Sequence, residues 1–176
     1  MITALDPTKF EAGLKAYLDA RFAALEVTVP TITGEEDPTL AAPEVYVGLS
    51  TDTVGISTVS VALRCAISET EAGGWYTLDP MIVVVTPLKI DGIDLSHHQA
   101  VYAAIAESFP ARPRVGAPSG DLAAWEALHE ELSDFLEAAC GYKAGGWFTR
   151  SSIYARRDDR IEQPFVVRIG AVHPEA

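Results

Sequence analysis

The stretch VSVALRCAI, from Val59 to Ile67, alternates residue by residue. Val59, Val61, Leu63, Cys65 and Ile67 point one way. Ser60, Ala62, Arg64 and Ala66, with Thr58 before them, point the other. A period of two with one apolar side is the mark of a half-buried strand, and an antiparallel sheet with one covered face accommodates it best. Upstream, a strand starting at Glu44 sets Val45, Val47 and Leu49 against Tyr46 and Gly48. Downstream, MIVVVT (Met81 to Thr86) is apolar on both sides and reads as a central strand covered on each face. Near the end of the chain, Phe165, Val167 and Ile169 alternate with Val166 and Arg168. They form the second arm of a hairpin whose first arm is Trp147 to Arg156 and whose charged turn is Arg157 to Gln163.

Three helices surround these strands in the sequence. Asp6 caps the first and Pro7 takes its first position. Phe10, Leu14, Tyr17, Leu18, Phe22 and Leu25 then recur at helical spacing. Pro30 cuts off a short strand-like piece, Glu26 to Val29, and Thr31 to Pro43 reads as an extended acidic loop. Ser96 opens the second helix, with Gln99 completing a capping box. Val101, Tyr102, Ile105 and Phe109 form its buried side and Pro110 ends it. After the Pro/Gly-rich loop Pro110 to Gly120, the third helix runs from about Asp121 to Cys140 and stops at Gly141. Its core side is Leu122, Trp125, Leu128, Leu132, Phe135, Leu136 and Ala139. The expected fold is therefore α/β of the α+β kind: a mixed, largely antiparallel sheet flanked by about three helices, in a single domain spanning 1–176.

Composition bounds the function. The 176 residues are 48% hydrophobic and 22% charged, as in a globular domain that buries its own core. The formal net charge of -12 repels nucleic acid and anionic lipid at long range. Specific nucleic-acid binding and membrane association are not expected. Met81 to Val85 is too short to span a bilayer, and Met1 to Phe10 does not read as a signal peptide. The two cysteines, Cys65 and Cys140, form neither a disulfide framework nor a zinc site, which suits a reducing cytoplasm. Both read as small buried apolar residues. The chain contains no Asn, which excludes N-glycosylation and a Cys-His-Asn triad.

No phosphate loop, dinucleotide fingerprint, nucleophile elbow or zinc-protease motif is present, so neither a catalytic residue nor a cofactor is assigned. His97 and His98 are adjacent on a helix, where neighbouring side chains diverge by about 100° and cannot easily share a metal. They read as a polar helix start, and no metal site is assigned. His129 and His173 have no partner in the sequence. Ser119, Gly120 and Asp121 superficially suggest a nucleophile turn, but the glycine spacing is wrong. A loop ending in a helix cap is the simpler reading. AGGWYT (Ala72 to Thr77) returns as AGGWFT (Ala144 to Thr149). The flanks differ, so each copy reads as a Gly-Gly turn launching a strand with an aromatic anchor.

Charge patterns point to contacts instead. Glu126, Glu130 and Asp134 stack at i, i+4 and i+8 on the third helix, with Glu137 beside them. Like charges so spaced cost about 0.2–0.5 kcal/mol per pair. A solvated face tolerates that, and so does a stripe that meets a basic partner or lines a channel. Arg156, Arg157, Asp158, Asp159 and Arg160 mix signs in the last turn, which favours solubility or pairing with a neighbouring subunit. Arg112 and Arg114 sit in the Pro/Gly loop. That loop and the acidic loop Gly34 to Pro43 are candidates for reaching neighbours.

The order of elements adds a resemblance. An N-terminal amphipathic helix precedes strands that include VSVALRCAI, then come a helix and a final hairpin ending QPFVVRIGA (Gln163 to Ala171). This resembles the tail-terminator or tail-completion proteins of long-tailed bacteriophages, the head-tail neck family, over most of the chain. The stretch Gly74 to Asp94 and the helix from Asp121 make it longer than the simplest pattern, which leaves another neck or tail-tube component as an alternative. The resemblance implies a small α/β structural protein that forms a homo-oligomeric ring, commonly a hexamer. Such a ring caps the tail tube and meets the head connector, with no enzyme activity and no cofactor. It implies assembly in the host cytoplasm and residence in the virion. An acidic wall suits a ring through which DNA passes without sticking. A different class, an acidic immunity- or antitoxin-like binding protein, also fits the charge.

Overall fold

The computed structural model describes residues 2–31, 39–48, 58–71, 73–88, 90 and 92–176. Part of the acidic loop (34–38), Leu49 of the first strand and Ala72 of the first repeat copy therefore lie outside the described residues. The described elements run α1 (Pro7–Ala24), β1 (Val29–Thr31), β2 (Thr39–Ala41), β3 (Glu44–Val47), β4 (Ser60–Arg64), β5 (Ile67–Glu71), β6 (Trp75–Leu78) and β7 (Met81–Pro87). They continue with α2 (Leu95–Ser108), α3 (Ser119–Cys140), β8 (Lys143–Ser151), β9 (Ala155–Arg156) and β10 (Arg160–Val172). The fold is α+β, with three helices and a mixed, mostly antiparallel sheet.

The main sheet is built on β10. Its first half pairs with β7 and its last residues with β6, along one edge. Its other edge pairs with β9 and then β8. The segments β4 and β5 follow β7 and β6 in the same way, and β3 joins β4 in the one parallel pairing described for this sheet. The strand read as continuous from Thr58 to Ile67 therefore breaks at Cys65 and Ala66, opposite a second break at Asp79 and Pro80. Proline has no N–H to offer a ladder, so the pairing pauses there. The amide of Cys65, left out of the ladder, donates to Glu11 Oε2 on α1 at 3.1 Å, while the Asp79 amide donates to Ala66 O at 3.1 Å. Glu11 is buried, and this bond supplies part of the polar company that a buried carboxylate needs.

All three helices lie on one side of the sheet. Phe10, Leu14, Tyr17, Leu18 and Phe22 of α1 are buried with Val61, Leu63, Ile82, Val84, Phe165, Val167 and Ile169 from the strands. Helices α1 and α3 approach closely at Gly13, where an added Cβ would stand 3.0 Å from both Ala139 Cβ and Phe135 O. Tyr17 spans the helix layer by donating its hydroxyl to Ser108 O, and burial pushes its pKa well above the usual phenol range.

Several local readings change. Pro30 does not end the strand near it; it sits inside β1, pairing with Leu40 of β2. Helix α2 starts two residues early, because Asp94 rather than Ser96 caps it, with His97 closing the box. Helix α3 starts at Ser119 after Pro118, with no side-chain cap, so Asp121 is not the cap either. Leu122, read as core, is exposed, like every residue from 119 to 124 at the start of α3. The last turn is shorter than Arg157 to Gln163: β10 already begins at Arg160. In the second repeat copy the glycines lie inside β8 beside a bulge at Gly170 and Ala171, not before the strand.

Candidate functional site

The adjacent histidines diverge, as their spacing predicts. His97 Nδ1 accepts the Asp94 amide at 3.2 Å and stays at the surface end of α2. His98 turns inward and is 0% exposed. Its Nε2 lies 2.8 Å from Gln163 Oε1, and its Nδ1 lies 2.8 Å from Thr86 Oγ1. The Gln163 amide nitrogen donates to Ser152 O at 2.6 Å, which leaves Gln163 Oε1 to accept. His98 therefore carries its proton on Nε2, and the Thr86 hydroxyl donates to Nδ1. Burial holds the imidazole below its ordinary value, against a smaller opposing effect of Gln163. Both ring nitrogens are occupied, so this histidine ties α2 to β7 and β10 and has no free lone pair for a ligand. The sequence reading placed it at a polar helix start and missed its burial. Among the described residues no three His, Cys, Asp or Glu side chains converge as a metal site. Cys65 is buried and Cys140 partly buried, both as free thiols pushed up chiefly by burial.

A second cluster is aromatic. Trp125 and His129 of α3 stack at 5.0 Å, and Trp147 of β8 stands 5.7 Å from His129 and 5.2 Å from Trp125. Trp147 Nε1 donates to Pro110 O at 2.8 Å, fixing the start of the Pro/Gly loop. Arg112 lies over Trp125 at 5.4 Å from the ring centre, a cation–π contact. Beyond it the loop arches over an open cavity of about 770 Å³, lined by Arg112, Arg114, Val115, Ser119 and Leu122 among others. Val115 and Arg114 are exposed.

The charged candidates fall in separate places. Glu126, Glu130 and Asp134 form an exposed column along α3, and no ion pair is described for them. Glu137 pairs with Lys143 at 3.3 Å, and Glu131, one position round the helix, with Arg21 at 3.6 Å. In the last turn, Glu162 receives Arg160 at 3.1 Å and Arg157 at 3.8 Å, while Asp159 O accepts the Leu88 amide. Arg156 and Asp158 are exposed there. No described ion pair joins the column, the turn and the loop into one site.

A further surface feature is one that the sequence reading passed over. No described helix covers the outer side of the main sheet. Residues facing each other across strands share a side. Arg64, Met81, Val166 and Arg150 are such partners across β4, β7, β10 and β8, and they form one row. Met81 is 59% exposed and Val166 46%, and both arginines are exposed. Met81 therefore departs from the doubly covered strand expected at Met81 to Thr86, whereas Ile82 to Thr86 are buried, Val83 and Val85 on this outer side in a cluster with Ala62 and Tyr46. The next row pairs Arg168 with Phe148, which is 72% exposed. Arg168 also grips Asp79 with two nitrogens, at 2.8 and 3.3 Å. This bridges the strand break and holds the Asp79 carboxyl below its usual range. The alternation at Arg64, Val166 and Arg168 already pointed these side chains away from the core. What the sequence could not supply was the register that aligns them.

No helix described here is long and apolar enough to cross a membrane. Set against protein-family models and curated proteins, the chain matches none of either.

Proposed function

We propose that this chain is a structural virion subunit of the tail-terminator or tail-completion kind. It self-associates into a ring that closes a phage tail tube and offers a surface to the head connector. The observation that carries the reading is the exposed end of the outer side of the main sheet, where Met81, Val166 and Phe148 stand in water. Exposed apolar side chains grouped on one side of a sheet offer a contact surface. The element order of the resemblance supports the same reading: an amphipathic first helix, a sheet, further helices and a closing hairpin. A ring subunit must present two different, mutually complementary sides, because a head-to-tail contact closes by rotation. Here the helix layer and the exposed end of the outer sheet side are two such sides. The net charge of -12 suits a ring whose bore lets DNA pass. In this role the protein performs no bond-making step and carries no cofactor. It assembles in the host cytoplasm and then resides in the virion.

The test is light scattering coupled to size exclusion, with electron microscopy of the peak, on the purified chain alone and with a tail-tube protein. A discrete closed oligomer of several subunits is expected. A particle that stays monomeric at high concentration, alone and with the tube protein, would overturn the reading.

A further inference from the structure

We infer that the outer sheet face is the seat for α3 of a second copy of this chain, with the arginine row receiving the acidic column. This rests on the self-association reading and names the two surfaces that meet.

The first ground is charge. Arg64 and Arg150 flank the apolar pair Met81 and Val166 in one cross-strand row, and neither arginine has an ion-pair partner among the described residues. A protein of net charge -12 has few basic residues to spare, yet two unpaired arginines bracket its exposed apolar strip. The complementary surface is on the same chain. Glu126, Glu130 and Asp134 are exposed on α3, with no ion pair described for them, and α3 belongs to the layer on the far side of the sheet.

The second ground is spacing. Arg64 and Arg150 are three strand steps apart, about 14 Å across a sheet. Glu126 to Asp134 covers eight helical residues, about 12 Å along the axis. The two charged spans match in length. Beside the first carboxylate of the column the helix exposes small side chains, Ala123 and Ala127. These allow the strip of Met81 and Val166 to approach. Because the two surfaces lie on opposite sides of one subunit, the contact is heterologous and propagates head to tail, as a ring needs.

Charge reversal tests the pairing. One variant carries Arg64→Glu and Arg150→Glu; the other carries Glu126→Lys, Glu130→Lys and Asp134→Lys. Each alone should weaken self-association by at least about tenfold, since each loses two or more ion pairs and gains repulsion. Mixed in equal amounts they should associate again, because each reversed face now meets a reversed partner, and the product should alternate the two variants. The neutral pair Arg64→Gln with Arg150→Gln should fall between wild type and reversal. Circular dichroism melts check that each variant is folded. If the wild type associates and the folded variants associate equally well, or if mixing restores nothing, this contact is wrong while self-assembly stands. If the wild type itself never associates, self-assembly fails first.

Discussion

Met81 and Ile82 are neighbours on β7, yet they belong to different surfaces. Ile82 faces the helices in the row Leu63, Ile82 and Phe165, where every side chain is buried. Met81 faces away in the row Arg64, Met81, Val166 and Arg150, where each side chain meets water. One step along a strand turns a side chain to the opposite side of a sheet. The inner row is closed by α1 and α2 from the same chain, so its apolar contacts stabilise the fold. The outer row has no such cover among the described residues, so its apolar contacts become available only when another surface arrives. At this end of the three central strands, one side of the sheet thus serves folding and the other is left for association, while further along β7 the outer side is buried too, at Val83 and Val85.

The sharpest way to break this division is Ile82→Ala. Ile82 is 0% exposed, and removing its three outer carbons leaves a cavity between Leu63 and Phe165. A loss of about 2–5 kcal/mol in unfolding free energy is expected, read by urea titration. Self-association, measured well below the melting temperature, should be unchanged. A loss under about 1 kcal/mol would mean that the row is not the core it is taken to be.

The inner row was legible from the sequence because its signal is local. Alternation at Val59 to Ile67 and at Phe165 to Ile169 needs no partner to be read, and Val61, Leu63, Phe165, Val167 and Ile169 are all buried. The helices were legible for the same reason, apart from the first residues of α2 and α3. The outer row was not legible. Its meaning depends on register between segments as far apart as Arg64 and Arg150, which no local period encodes. Met81 failed for a related reason. Read by composition it is one more apolar residue of MIVVVT, but it sits where the strand leaves Pro80 and has exposed partners on both sides. His98 was missed because a polar residue in the first turn of a helix is usually wet. Only the arrival of Thr86 and Gln163 makes its burial tolerable.

A smaller effect should come from pH, again on the covered side. Burial holds His98 below the ordinary imidazole value of 6.5, and His129 is held low for the same principal reason. The folded state therefore keeps both neutral while the unfolded chain takes up protons first. Stability is complete above the unfolded value and falls as pH drops from about 7 towards 5, with a slope of up to about 1.4 kcal/mol per pH unit for each proton taken up. Asp79 and Asp94, also held low, act only below the ordinary carboxylate range. His98→Gln should flatten the slope of unfolding free energy against pH over that window, whatever it does to the absolute stability. An unchanged slope would show that His98 does not carry the linkage.

The smallest effect on folding should come from the outer row, and its smallness is the point. Met81→Ser with Val166→Ser removes two apolar side chains that the monomer leaves half in water. The free energy of unfolding, measured on dilute monomer, should move by no more than about 0.5 kcal/mol for each, the range of ordinary surface changes. Association should nonetheless weaken, because burial of those same carbons happens only between copies. Both outcomes must hold together. If stability falls as it does for Ile82→Ala, the outer row is already covered within the monomer. If stability and association both stay put, the exposed strip is not a contact surface, and the division of labour along β7 has no functional side.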